Sequence, residues 1–132
     1  MSPHTANEDK GVPRGALFVI LALAGLAGAG GVALAAVAAH KVDSPALAAA
    51  ATMLMIHVAA VAGLLALARS RAWLEAAGLM LGAAALFSGD IAVHTLAGQH
   101  IFPMAAPTGG SLLIASWLAV AILALLEWRA AR

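Results

Sequence analysis

The sequence predicts an all-α fold: an integral membrane four-helix bundle with both termini cytoplasmic. Three observations predict it. Of the 132 residues, 64% are hydrophobic and 10% charged, against about a quarter charged in a soluble domain. The apolar residues gather into four runs, each long enough to cross a hydrocarbon layer about 30 Å thick. Six of the seven basic residues fall in the segments that four successive crossings place on one side. A soluble fold of this size and composition would expose large apolar patches, which the bilayer covers instead.

Residues 1–14 hold Pro3, Asn7, Glu8, Asp9, Lys10 and Pro13, a composition that buries too little apolar surface to order itself, so a flexible polar tail is expected. A single transmembrane domain then occupies 15–132. Helix one runs over about 15–39, a stretch without ionisable residues that would rise roughly 37 Å. Read as a cleaved secretory signal, this run is too long, since signal cores span about 7–15 residues. His40 to Pro45 make a polar turn in which Ser44 suits an N-cap and Pro45 the first helical position. Helix two covers about 46–68 and stops at Arg69 and Arg71. Helix three covers about 73–98, apolar but for Glu75, Asp90 and His94. Pro103, Pro107 and Gly109 then turn the chain, Thr108 is the expected cap, and helix four covers about 110–128.

Lys10, Arg14, Arg69, Arg71, Arg129 and Arg132 share one side and Lys41 alone takes the other, so the positive-inside rule places both termini and the middle loop in the cytoplasm. Trp73 and Trp128 fall at that inner boundary, as members of an aromatic belt. Net charge is +1, which gives no reason to expect nucleic acid as a partner. The absence of cysteine excludes disulfides, thiolate nucleophiles and cysteine metal sites.

Small residues let helices approach in lipid, where no hydrophobic force drives them together. Gly25, Gly28, Gly30 and Gly31 thin the surface of helix one, and Gly78 and Gly82 form a G-x-x-x-G pair on helix three. Packing within the bundle is the first use for these positions; a homo-oligomer or a larger membrane complex is the other.

Ionisable residues inside a membrane are costly and mark function. Counting inward from the outer boundary at about 1.5 Å per residue, His40 sits at the surface, His94 about 6 Å down, Asp90 about 12 Å and His57 about 16 Å. Asp90 and His94 are four apart on one helix face and are expected to meet. A carboxylate beside an imidazole can share a proton or orient the ring for a metal. His57 with Met53 one turn before it suits a soft transition metal such as Cu(I). Bland readings stand beside these: His40 as an interfacial residue near the last carbonyls, His57 as a hydrogen-bonding link to a neighbouring helix, and Met53 and Met55 as packing. His100, in a loop, and His4, in the tail, are given no role. Between His57 and the inner boundary polar residues are few, so a closed pocket opening outward suits the pattern better than a continuous ion path.

Taken together, the glycine-rich first helix ending in Ala38, Ala39 and His40, then His57, then Phe87, Ser88 and Gly89, then Pro107, Thr108, Gly109 and Gly110, resemble the domain-of-unknown-function 423 (transmembrane protein 256-like) family of small inner-membrane proteins. The resemblance spans about 15–132. Alanine at 38 replaces the glycine of the family's typical form, and Thr108 stands where isoleucine is frequent. The resemblance implies a four-helix protein of a bacterial-type inner (plasma) membrane and brings no established reaction. His40 and His57 match its motif positions; Asp90 and His94 rest on physical argument alone.

The function expected is a small membrane protein that holds a proton or metal ion in an outward-facing pocket of helices one, two and three, built from His40, His57, Asp90 and His94, for transport or sensing. For a metal, the ligands would be His57, Asp90 and His94. The alternative is a structural or accessory subunit that packs against a larger membrane complex through its small-residue faces. No nucleophile with its base is recognisable, so an enzyme is not expected.

Overall fold

Each of the four apolar runs becomes a helix in the computed structural model, which describes residues 11–132. His4 and most of the expected tail lie outside the described residues. The helices are α1 (Arg14–His40), α2 (Pro45–Leu67), α3 (Arg71–Ala97) and α4 (Ala105–Ala130), and all four are long and apolar enough to span a membrane. The connections 41–44, 68–70 and 98–104 are short, so successive helices run antiparallel. One end of the bundle therefore carries the α1–α2 and α3–α4 connections. The opposite end carries the α2–α3 connection and the start of α1 and end of α4.

The capping chemistry expected before α2 is present: Ser44 Oγ accepts from the Leu47 N–H at 3.2 Å and Pro45 opens the helix. The start of α4 differs from the expected one. The helix begins five residues earlier than the turn formers suggested, with Met104 as its N-cap, and the Thr108 N–H already donates to the Met104 carbonyl at 2.9 Å. Pro107 falls in the first turn, where a missing N–H costs nothing, so it lies within the helix instead of preceding it. Met104 adopts φ 69°, a left-handed conformation that costs a side-chain-bearing residue about 1 kcal/mol.

α3 is the centre of the bundle. Half of its most apolar window is buried, against 11% for α1, because α3 packs on α1, α2 and α4, whereas α1 rests mainly on α2 and α4 on α3 alone. The core joins Leu54, Val61 and Leu64 of α2 to Leu74, Met80 and Leu81 of α3 and Leu113 of α4.

Two glycines set the closest approaches. A Cβ at Gly109 would fall 2.6 Å from the Phe87 backbone nitrogen, and one at Gly31 would fall 2.7 Å from Met55 Cγ. Of the glycines expected to pack helices, Gly28 meets Val58 and Gly78 meets Ile20, while Gly25 and Gly82 face open space. The thin face of helix one is used, with its closest contact at Gly31.

At the end bearing the start of α1 and the end of α4, Trp73 is buried and donates its Nε1–H to Glu127 across α3 and α4 at 2.5 Å. It is an interior residue and not a member of the aromatic belt expected there, because a carboxylate on the facing helix gives its N–H a partner away from the headgroups. Trp128 is half exposed, and the Arg132 guanidinium lies 4.0 Å over its ring.

Candidate functional site: the Asp90 mouth and the His57 bridge

Asp90 lies seven residues before the end of α3, about 10 Å along the helix axis. A carboxylate at that depth must find donors or be stranded. The donors come from the chain that follows. Gly98, at φ 69°, closes α3 with a left-handed cap, and residues 98–104 turn back over the end of the bundle toward Asp90. Oδ1 accepts from the Ile101 N–H at 2.7 Å. Oδ2 accepts from His100 Nδ1 at 2.8 Å and from the Ala106 N–H at 3.2 Å. The carboxylate is fully excluded from solvent. The Ile101 N–H is thereby paired inside the protein, as non-helical backbone at this depth requires.

The partner expected for Asp90, His94, does not bond to it. The His94 ring stacks on His100 instead, with centroids 4.1 Å apart and planes within 7°. The three residues form one chain of contacts, Asp90 to His100 to His94, that runs from a buried carboxylate through a half-exposed imidazole to a second exposed one. His100 is the member that sequence reasoning missed. Four-residue spacing along α3 pointed to His94, whereas the pairing that forms spans ten residues across a turn. The available signal was an aspartate two turns inside a helix whose following loop offers a histidine and free N–H groups.

His57 lies elsewhere. Its Nδ1 is 2.6 Å from the Met53 carbonyl one turn earlier, and its Nε2 faces the Nε1–H of Trp117 at 3.2 Å. The indole nitrogen only donates, so Nε2 accepts and Nδ1 carries the proton, a tautomer that satisfies both contacts. Trp117 was not singled out in the sequence. Both residues lie about 18 Å along their helices from the end that carries Asp90, and this bond links α2 and α4, whose backbones do not approach one another. Met53 contributes its carbonyl to His57, and the side chains of Met53 and Val58 pack against the core.

His40 ends α1, exposed, and makes no hydrogen bond or ring contact with His57, Asp90 or His94. Of the four candidate residues, the structure therefore brings Asp90 and His94 into one group, through His100, and keeps His40 and His57 apart from it. The partners of Asp90 come from the α3–α4 connection and α4 instead of helices one and two. No group of three His, Asp or Glu side chains suited to a metal ion occurs among the described residues. Every buried side-chain nitrogen and oxygen among them has a hydrogen-bond partner. Ser88, for example, donates to the Ala50 carbonyl at 2.9 Å and fastens α3 to α2.

A family model described as "Protein of unknown function (DUF423)" matches residues 34–110. The chain belongs to this family. The matched segment runs from the last turns of α1 to the first turns of α4. In this DUF423 member it contains His40, His57 and the whole Asp90, His94 and His100 group, together with the Gly109 contact on Phe87. No curated protein and no solved structure matches the chain.

Proposed function

We propose that this DUF423 protein lies in a bacterial-type inner membrane with both termini cytoplasmic, and that Asp90, His100 and His94 hold a proton at its outer face in a sensing role. The orientation is supported by the basic residues: Arg14, Arg69, Arg71, Arg129 and Arg132 lie at one end of the bundle and Lys41 at the other. The observation that carries the functional reading is the 2.8 Å contact between the half-exposed His100 and the buried Asp90.

An imidazole in contact with solvent can gain or lose a proton near neutral pH. Its bond to Asp90 is charge-assisted and stronger when the ring is an imidazolium. The same carboxylate holds the backbone of Ile101 and Ala106, so a change at His100 reaches both the connecting loop and the first turn of α4. His94 limits the charge. Two stacked rings 4.1 Å apart repel if both are cationic. A proton suits this arrangement better than a metal, since a metal would need the Asp90 oxygens that three donors already occupy.

Nitrogen-15 spectra of the two rings across a pH titration test the reading. Because the two rings are stacked, His94→Ala should change the His100 curve. Two independent single-site curves, with His100 indifferent to the loss of His94, would sink it.

A further inference from the structure

Between α1 and α3 the packing leaves space. A groove of about 500 Å³ begins at Pro13, Arg71 and Glu75, and a second of about 310 Å³ continues past Leu23 and Gly82 to Ala85. The two share Ile20 and Gly78, so they run into one another. The cause is in the sequence: α3 offers α1 glycine at 78 and 82, a Cβ at Gly78 would reach only Ile20, at 3.7 Å, and one at Gly82 would meet nothing within 4 Å. In a bilayer such a space is filled by something apolar.

The chemistry changes along the groove. Its walls are aliphatic as far as Ala85, while its mouth carries Arg71, 81% exposed, with Nε bonded to Glu75 at 3.0 Å. Glu75 occupies one donor of the guanidinium and leaves the others for a second acceptor. Among the described residues that end of the bundle also holds Arg14, Arg69, Arg129 and Arg132 against the side-chain carboxylates Glu75 and Glu127, so the membrane face on which the groove opens carries an excess of positive charge, with Arg71 in the groove's own lining. From 71 to 85 α3 rises about 21 Å, which matches one leaflet with its headgroup layer, about half of 40–45 Å.

We propose that this groove binds one anionic phospholipid, with the phosphate at Arg71 and an acyl chain laid along Ile20, Gly78 and Gly82. The site is separate from the Asp90 group, at the opposite end of the bundle. The rival occupant is a second copy of the chain.

The test is native mass spectrometry of the detergent-purified full chain with equimolar phosphatidylglycerol and phosphatidylcholine of identical acyl chains. One bound phosphatidylglycerol is expected, favoured over phosphatidylcholine by roughly fivefold, the effect of one basic residue near an anionic headgroup. Arg71→Gln should remove that preference and keep a bound lipid. Gly82→Leu should displace both lipids, whereas Gly63→Leu, which also points into open space on α2, should displace neither. Ile20→Trp fills the groove from the α1 side and replaces Gly82→Leu if circular dichroism shows that variant unfolded. Equal binding of the two lipids by the wild type, or unchanged lipid binding in a filled groove, would overturn the proposal. Conversion of a dimer to a monomer by Gly82→Leu without loss of lipid would also overturn it and assign the groove to a second copy.

Discussion

His100 and Asp90 are ten residues apart, on either side of the end of α3, yet Nδ1 of one stands 2.8 Å from Oδ2 of the other. The contact requires the chain to turn at Gly98 and come back over the bundle, and the two further bonds from Ile101 and Ala106 hold it there. Asp90 thus pins the α3–α4 connection and the start of α4 at once. In Asp90→Asn one acceptor oxygen is replaced by an amide that faces N–H donors, which leaves buried groups unpaired. The expected cost is about 2 kcal/mol, read by denaturation in detergent, with faster amide exchange at Ile101 and Ala106. Retained stability together with wild-type exchange at both amides would show that the carboxylate does not hold the loop.

Gly109 makes a different kind of prediction, steric instead of polar. A methyl group there meets the Phe87 nitrogen at 2.6 Å and its Cα at 2.9 Å, and backbone has no rotamer with which to yield. Gly109→Ala should therefore force α3 and α4 apart at a cost of about 1–3 kcal/mol, the range for overpacked cores. Gly63→Ala, into open space, should be neutral or slightly stabilising, because alanine is the better helix former. Similar unfolding midpoints for the two variants would contradict the close approach.

The link between α2 and α4 can be tested by a double-mutant cycle. Trp117→Phe removes the N–H that His57 Nε2 accepts while keeping an aromatic ring. His57→Phe removes the acceptor. A coupling of about 0.6–1.7 kcal/mol is expected, the range for polar contacts between membrane helices. Additive effects would mean that Trp117 contributes packing alone.

Much of the fold was legible because a membrane imposes it. Length and lack of charge identify each span, and Ser44 with Pro45 marks the start of α2 by local chemistry that needs no tertiary knowledge. The start of α4 was less legible. Pro107 and Gly109 are turn formers by propensity, but Pro107 fits a first helical turn, and Gly109 is required by the contact with Phe87, which belongs to another helix. The candidate site was half legible. Asp90 stands out by its cost in lipid, yet its partner follows from how the loop folds back, and the one-face rule for residues four apart favoured His94. Trp117 and Glu127 were overlooked for the same reason: each matters through a residue more than fifty positions away.

On the function proposed for Asp90, His100 and His94, protonation of His100 is transmitted through Asp90 to the backbone of the α3–α4 connection. The most direct measurement is hydrogen exchange of the segment 98–106 at two pH values, one acidic and one alkaline, corrected for intrinsic exchange rates, in the wild type and in His100→Asn. An imidazolium binds the carboxylate more strongly than a neutral ring, so the wild-type segment should be more protected at the lower pH and should lose that extra protection as pH rises, while the variant shows no such difference. Equal protection at both pH values in the wild type, or a pH dependence that survives in His100→Asn, would contradict the account.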